Sequence, residues 1–194
     1  MNAKLRQYIA SIAAAATMLL TTISHARHEL TVFGGGGDAT AQALCLPGQR
    51  LVGFAGRTGL WVDRIQPVCA KQGKNPVATG MYYGGAGGGE STGFCPRNWD
   101  MSNAAELYVT RGRQVASINF VCRSRATGET MDVKFGNPAY HGKCPGSSFF
   151  SVGNCDINLD YGSFQRCPAD EVPIGFNVRY GKHVNAIGLI CGRL

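Results

Sequence analysis

Three stretches of this chain carry the same residue types at the same distances from a glycine, and this repeat limits the fold more than any other feature. The stretches run from Cys45 to Cys69, from Cys95 to Cys122 and from Cys167 to Cys191. Each can be anchored on its own glycine, Gly59, Gly112 or Gly181. Three residues on stand Val62, Val115 and Val184, and six residues on stand Ile65, Ile118 and Ile187. Ten residues on come Cys69, Cys122 and Cys191, and five residues back come Phe54, Leu107 and Phe176. A fixed period of apolar, glycine and cysteine positions marks a repeated supersecondary unit. Short apolar runs such as Leu51–Phe54 and Val184–Ile190, separated by a glycine, read as a β-hairpin, with the glycine supplying a positive φ at the turn. Gly34–Gly37 and Gly84–Gly89 precede the first and second units, and an insertion, 137–166, precedes the third. Many short strands with Gly and Pro turns, and no helical periodicity beyond residue 26, predict an all-β architecture of three small sheets about a pseudo-threefold axis.

The ends and the cysteines set the compartment. Lys4 and Arg6 precede an uncharged apolar run, Tyr8–Ile23, and Ser24-His25-Ala26 supplies the small residues of a cleavage site. The expectation is a signal peptide over 1–26, a single exported domain over 27–194 that is secreted or periplasmic, and no membrane span after cleavage. All eight cysteines follow the cut, an even number that predicts four disulfides in an exported domain. The repeat pairs Cys45 with Cys69, Cys95 with Cys122 and Cys167 with Cys191, leaving Cys144 and Cys155 as a local bridge inside the insertion. No C-x-x-C occurs, so no metal is expected, and nothing in the sequence calls for a cofactor. Two of the formal +7 charges belong to the leader, and the rest are scattered, which argues against a nucleic-acid partner.

The glycine runs do not read as phosphate loops. Gly84–Ser91 has Glu90 where a phosphate loop needs lysine, and no helix follows. Bare backbone that approaches a ligand closely is the remaining functional reading of such runs. Gly59-Leu60-Trp61-Val62-Asp63 supplies the complementary parts: successive backbone N–H donors, a carboxylate acceptor and an indole. Vicinal sugar hydroxyls are each donor and acceptor, so this mixture suits a carbohydrate. No H-E-x-x-H or G-x-S-x-G occurs, and Asp156, Asp160, Asp170 and Glu171 read as loop and turn residues, so an enzyme is not expected.

The segment Gly59–Asp63 resembles the sugar-recognition loop of jacalin-related lectins, whose second wall is a Gly-Gly loop like Gly84–Gly89 and Gly34–Gly37. The threefold Cys…Gly-Phe…Ile…Cys plan also resembles vitelline membrane outer layer protein I, which shares the β-prism. The resemblance implies a β-prism, glycans or glycoconjugates as partners, and a site of Gly59, Leu60, Trp61, Asp63, Gly84, Gly85, Gly87 and Gly88. Read circularly, it implies a second, weaker site from Gly34, Gly35, Gly181 and Asn185, in which Asn keeps an acceptor and loses the charge. The matching position of the middle unit is Ala116, which has no acceptor. Leu60 stands where the family often has an aromatic residue, and the insertion and the disulfides have no counterpart in plant members. Two other functions compete with a lectin. One is a protein-binding or inhibitory module acting through 137–166, which holds Tyr140, Phe149, Phe150 and Tyr161, and the other is a glycan-active enzyme.

Overall fold

The computed structural model describes residues 27–110, 114–137 and 159–194. The leader 1–26, Gly112 and the cysteines Cys144 and Cys155 lie outside the described residues.

Each repeat unit folds as an antiparallel hairpin: β4 (Arg50–Thr58) with β5 (Val62–Ala70), β9 (Trp99–Thr110) with β10 (Val115–Ser124), and β13 (Val172–Tyr180) with β14 (Val184–Gly192). The first strand of each hairpin then pairs with the strand that leads into the next unit. β4 takes β8 (Gly89–Phe94), β9 takes β12 (Leu159–Arg166), and β13 closes the circle onto β3 (Ala39–Leu44). The outer edge of each second strand is covered by short pieces or one longer strand. These are β6 (Val77–Ala78) and β7 (Tyr83–Gly84) on β5, β11 (Thr130–Gly136) on β10, and β1 (His28–Glu29) and β2 (Phe33–Gly34) on β14. Three sheets of four or five strands result, each assembled from two repeat units.

The repeated apolar positions face one another along the axis. Ile65, Ile118 and Ile187 are fully buried, as are Val62, Val115 and Val184 and the trio Phe54, Leu107 and Phe176. Phe54 sits at the centre, its ring centroid 5.6 Å from Phe176 and 5.8 Å from both Phe120 and Phe135. Aromatic pairs at such spacings add to the burial of their area, and this layer joins the three sheets into one core. The bridges Cys45–Cys69, Cys95–Cys122 and Cys167–Cys191 are all formed. Each ties the entry of a hairpin to the end of its second strand, and loop closures of this length stabilise by about 3–4 kcal/mol each if the effect is chain entropy.

Two expectations need correction. The segment 137–166 is not wholly an insertion, because Leu159–Arg166 is β12 and pairs with β9 as β3 and β8 pair with their own partners. Its sequence lacks the preceding glycine run, but the backbone of β9 needs a partner on that side, and this is the segment that supplies it. The turn glycines Gly59 and Gly181 also do not hold a positive φ. A Cβ on Gly59 would make only ordinary contact with Asp63 Oδ2 and Gly88, and one on Gly181 would displace the exposed carboxylate of Asp38.

Candidate functional site at the turn end of the prism

The first hairpin turn and the second glycine loop meet at one end of the molecule. The turn is short: Thr58 pairs with Val62 across it, and Gly59 N–H donates to Trp61 O at 2.9 Å. β7 then brings the glycine loop alongside β5, with Gly84 opposite Arg64, and Gly85 N–H donates to Asp63 O at 2.8 Å. The loop returns as β8, with Gly89 opposite Thr58. Asp63 is therefore enclosed on two sides by glycine backbone. A Cβ on Gly87 would stand 2.5 Å from Asp63 Oδ1, and one on Gly88, where φ is 62°, would stand 2.5 Å from Asp63 Oδ2 and from the Thr58 carbonyl. Only glycine allows this approach at Gly88, where both the conformation and the space exclude a side chain.

Arg57 fixes the loop. Its guanidinium donates to the Gly87 carbonyl at 2.9 Å and the Gly88 carbonyl at 2.5 Å, and it pairs with Glu90 at 2.6 Å. A glycine-rich loop is costly to order, and this clamp, together with the Gly85–Asp63 bond, holds it in one arrangement. Leu60 projects into solvent, while Trp61 is half-buried.

The third hairpin contributes residues that sequence reasoning did not place here. His183 Nδ1 lies 3.0 Å from Asp63 Oδ1, and its ring packs 4.9 Å from Trp61 between centroids. The Lys182 carbonyl packs against Gly85 so closely that a Cβ there would collide with it. Asp63 is only 5% exposed, because His183 and the two glycines cover it. A hydroxyl that reaches this carboxylate must share or displace the His183 contact. Arg57 and His183 both lie within the repeat units, but nothing local to either points to a partner 30 or 120 residues away.

The same construction recurs between the third hairpin and the first glycine loop. Gly35 N–H donates to Asn185 O at 3.0 Å, Gly34 stands opposite Ala186, and Gly181 N–H donates to His183 O at 3.0 Å. Gly34, Gly35, Gly181 and Asn185 are thus brought together. Beside them opens a concavity of about 530 Å³, lined among others by Gly36, Gly37, Asp38, Gln114, Lys182 and Asn185. The middle unit's turn lies outside the described residues, and Ala116 is buried.

A concavity of similar size lies elsewhere, on the outer face of the β9–β12 sheet, between Glu106, Tyr108, Asn119, Asp132, Lys134 and Phe164. Burial, and then the hydrogen bond to Glu106, push the Tyr108 phenol above its ordinary value. Among the described residues, no group of three His, Cys, Asp or Glu is placed to hold a metal ion.

No family model and no curated protein matches the sequence. Solved structures do match in shape. Malaysian banana lectin superposes with a TM-score of 0.56 at 17% identity, over 87% of this chain and 100% of its own. A mannose-binding jacalin-related lectin from Ananas comosus gives 0.53 at 18% identity, over 87% of this chain and 99% of its own. The fold is the jacalin-type β-prism. Single-chain recombinant jacalin covers 90% of this chain at a TM-score of 0.51 and 10% identity. Identities this low speak for the β-prism alone. Among the described residues of this chain, three bridges bracket the hairpins of that fold.

Proposed function

We propose that this protein is a secreted or periplasmic carbohydrate-binding protein, lectin-like and not catalytic, whose partners are glycans or glycoconjugates. The observation that carries the reading is the enclosure of Asp63 by the bare backbone of Gly87 and Gly88, with Gly59 and Trp61 on the facing turn. A pyranose presents neighbouring hydroxyls that each donate and accept. The turn and the loop offer a carboxylate, backbone amides and an aromatic edge within one small region, where the glycines add no side chain of their own and a hydroxyl meets Asp63 by sharing or displacing the His183 contact. Gly59, Leu60, Trp61, Asp63, Gly84, Gly85, Gly87 and Gly88 form the first site in this reading, and Gly34, Gly35, Gly181 and Asn185 belong to a second. The solved β-prisms named above are lectins, one of them mannose binding, which favours a sugar over a protein ligand for this end of the prism. Three formed disulfides fit an oxidising compartment outside the cytosol.

A glycan array probed with the oxidised chain tests the reading, with Asp63→Ala alongside. The expected result is binding to one sugar class that weakens in the variant. Shallow sites of this kind act through avidity, so losing one of two sites shows clearly on a multivalent surface. A folded, oxidised wild type that binds no glycan on the array overturns the proposal.

A further inference from the structure

The two glycine loops correspond residue by residue, and the correspondence moves a carboxylate. Gly85 and Gly35 make the same backbone bond, to Asp63 O and Asn185 O. Gly89 opposite Thr58 matches Ala39 opposite Tyr180, each at the start of the returning strand. The loops between are of equal length, so Asp38 occupies the position of Gly88, and Asn185 occupies the position of Asp63. In the first site the hairpin strand carries the carboxylate and the loop is bare. In the second the strand carries an amide and the loop carries the carboxylate.

The relocated group reaches the same place relative to the turn. Asp63 Oδ2 lies against Gly59, and Asp38 Oδ2 lies against Gly181, the equivalent turn glycine. The two carboxylates differ in availability. Asp63 is buried and bonded to His183, whereas Asp38 is exposed and makes no hydrogen bond or ion pair among the described residues. Asp38 also lines the open concavity together with Asn185, Gln114 and Lys182.

We propose that Asp38 supplies the accepting carboxylate of the second carbohydrate site, so that this site takes a pyranose through a charged acceptor on its glycine loop and an amide on its strand. This rests on the carbohydrate-binding reading and changes its balance. The second site is a fully equipped one, and it is the more open of the two. The turn Gly181–His183 forms its wall and also touches Asp63 and Gly85 of the first site, so the two sites are neighbours around one turn.

The test is calorimetric titration of the oxidised full chain with methyl α-D-mannopyranoside and, separately, methyl α-D-galactopyranoside. Wild type, Asp63→Ala, Asp38→Ala and the double variant are compared. Asp63→Ala is expected to retain binding to one of the two glycosides, and adding Asp38→Ala is expected to weaken what remains by about tenfold to a hundredfold, the range for hydrogen bonds to a charged acceptor. Asp38→Asn should fall between, since it keeps an acceptor without the charge. Asp38 is exposed, so the thermal midpoint of each Asp38 single variant should match that of wild type. Asp63→Ala abolishing all binding, or the double variant binding as well as Asp63→Ala, overturns the assignment of Asp38 and leaves the first site standing. A wild type that binds neither glycoside overturns this assignment together with the reading beneath it.

Discussion

Gln165 is the polar side chain on which the closure of the prism depends most visibly, and replacing it with leucine gives a quantitative test. It stands on β12, is 5% exposed, and crosses from the second sheet to the third. Its Nε2 donates to Thr31 O at 2.6 Å, and its Oε1 accepts from Leu189 N–H at 2.7 Å. The Leu189 amide needs this partner because β1 and β2 cover β14 only in two short pieces, pairing at Ile190–Cys191 and at Ala186–Ile187. The gap between them leaves the amide of a fully buried residue without a strand to bond. Gln165→Leu conserves length and removes both contacts. One buried N–H loses its acceptor, at about 1–3 kcal/mol, and the Thr31 carbonyl, on an exposed residue, turns to water. The added apolar burial offsets a fraction of that, for a net loss of about 2 kcal/mol. For a domain of this size, that lowers Tm by about 4–8 °C. Urea unfolding of the oxidised protein, followed by both fluorescence and circular dichroism, gives the free energy with its slope as a check on two-state behaviour. The Leu189 amide should also exchange faster with solvent than its neighbours on β14. A change below about 0.5 kcal/mol with an unchanged slope refutes the reasoning, because it means that the amide is satisfied without Gln165.

Other substitutions probe the core and the site. Phe54→Ala, at the centre of the aromatic layer, should cost about 3–5 kcal/mol in the same assay, within the range for a large cavity in a core that cannot collapse. Gly88→Ala places a Cβ 2.5 Å from Asp63 Oδ2 and the Thr58 carbonyl at a φ of 62°, so it should destabilise by about 1–2 kcal/mol and weaken sugar binding, as seen by thermal shift and glycan array. Gly89→Ala, one residue on, has nothing within 4 Å and should leave both unchanged. Breaking one bridge with Cys95→Ala and Cys122→Ala together should lower stability by about 3–4 kcal/mol in denaturant titration.

The architecture was legible because it is periodic. Fixed offsets from Gly59, Gly112 and Gly181 mark the hairpins, the bracketing cysteines mark their ends, and the structure buries every repeated apolar position and forms the three bridges. The circular pairing of hairpin with glycine loop follows from the same periodicity, and the structure places both pairs accordingly. What escaped was set by tertiary context. β12 has no glycine run before it, although it ends one residue before Cys167 as β3 and β8 end one residue before Cys45 and Cys95, and its pairing with β9 makes it the third member of that set. Gly59 and Gly181 looked like residues chosen for a left-handed turn, but neither holds a positive φ, and each instead lies beside a carboxylate, Asp63 or Asp38. The His183–Asp63 contact joins the third hairpin to the first and has no local signal. Asp38 did have one. It lies seven residues before Cys45, as Gly88 lies seven before Cys95, and aligning the loops on those cysteines, not on their glycine content, exposes the exchange.

The central claim is that a sugar binds at the turn end of the prism, and amide chemical shifts report its location directly. Titrating the isotopically labelled, oxidised chain with the glycoside that binds should move the amides of Gly59–Asp63, Gly84–Gly88, Gly36–Asp38 and Gly181–Asn185, and leave the strand amides of the β9–β12 sheet in place. Shifts confined to that sheet, around Tyr108, Asn119 and Phe164, would contradict the account.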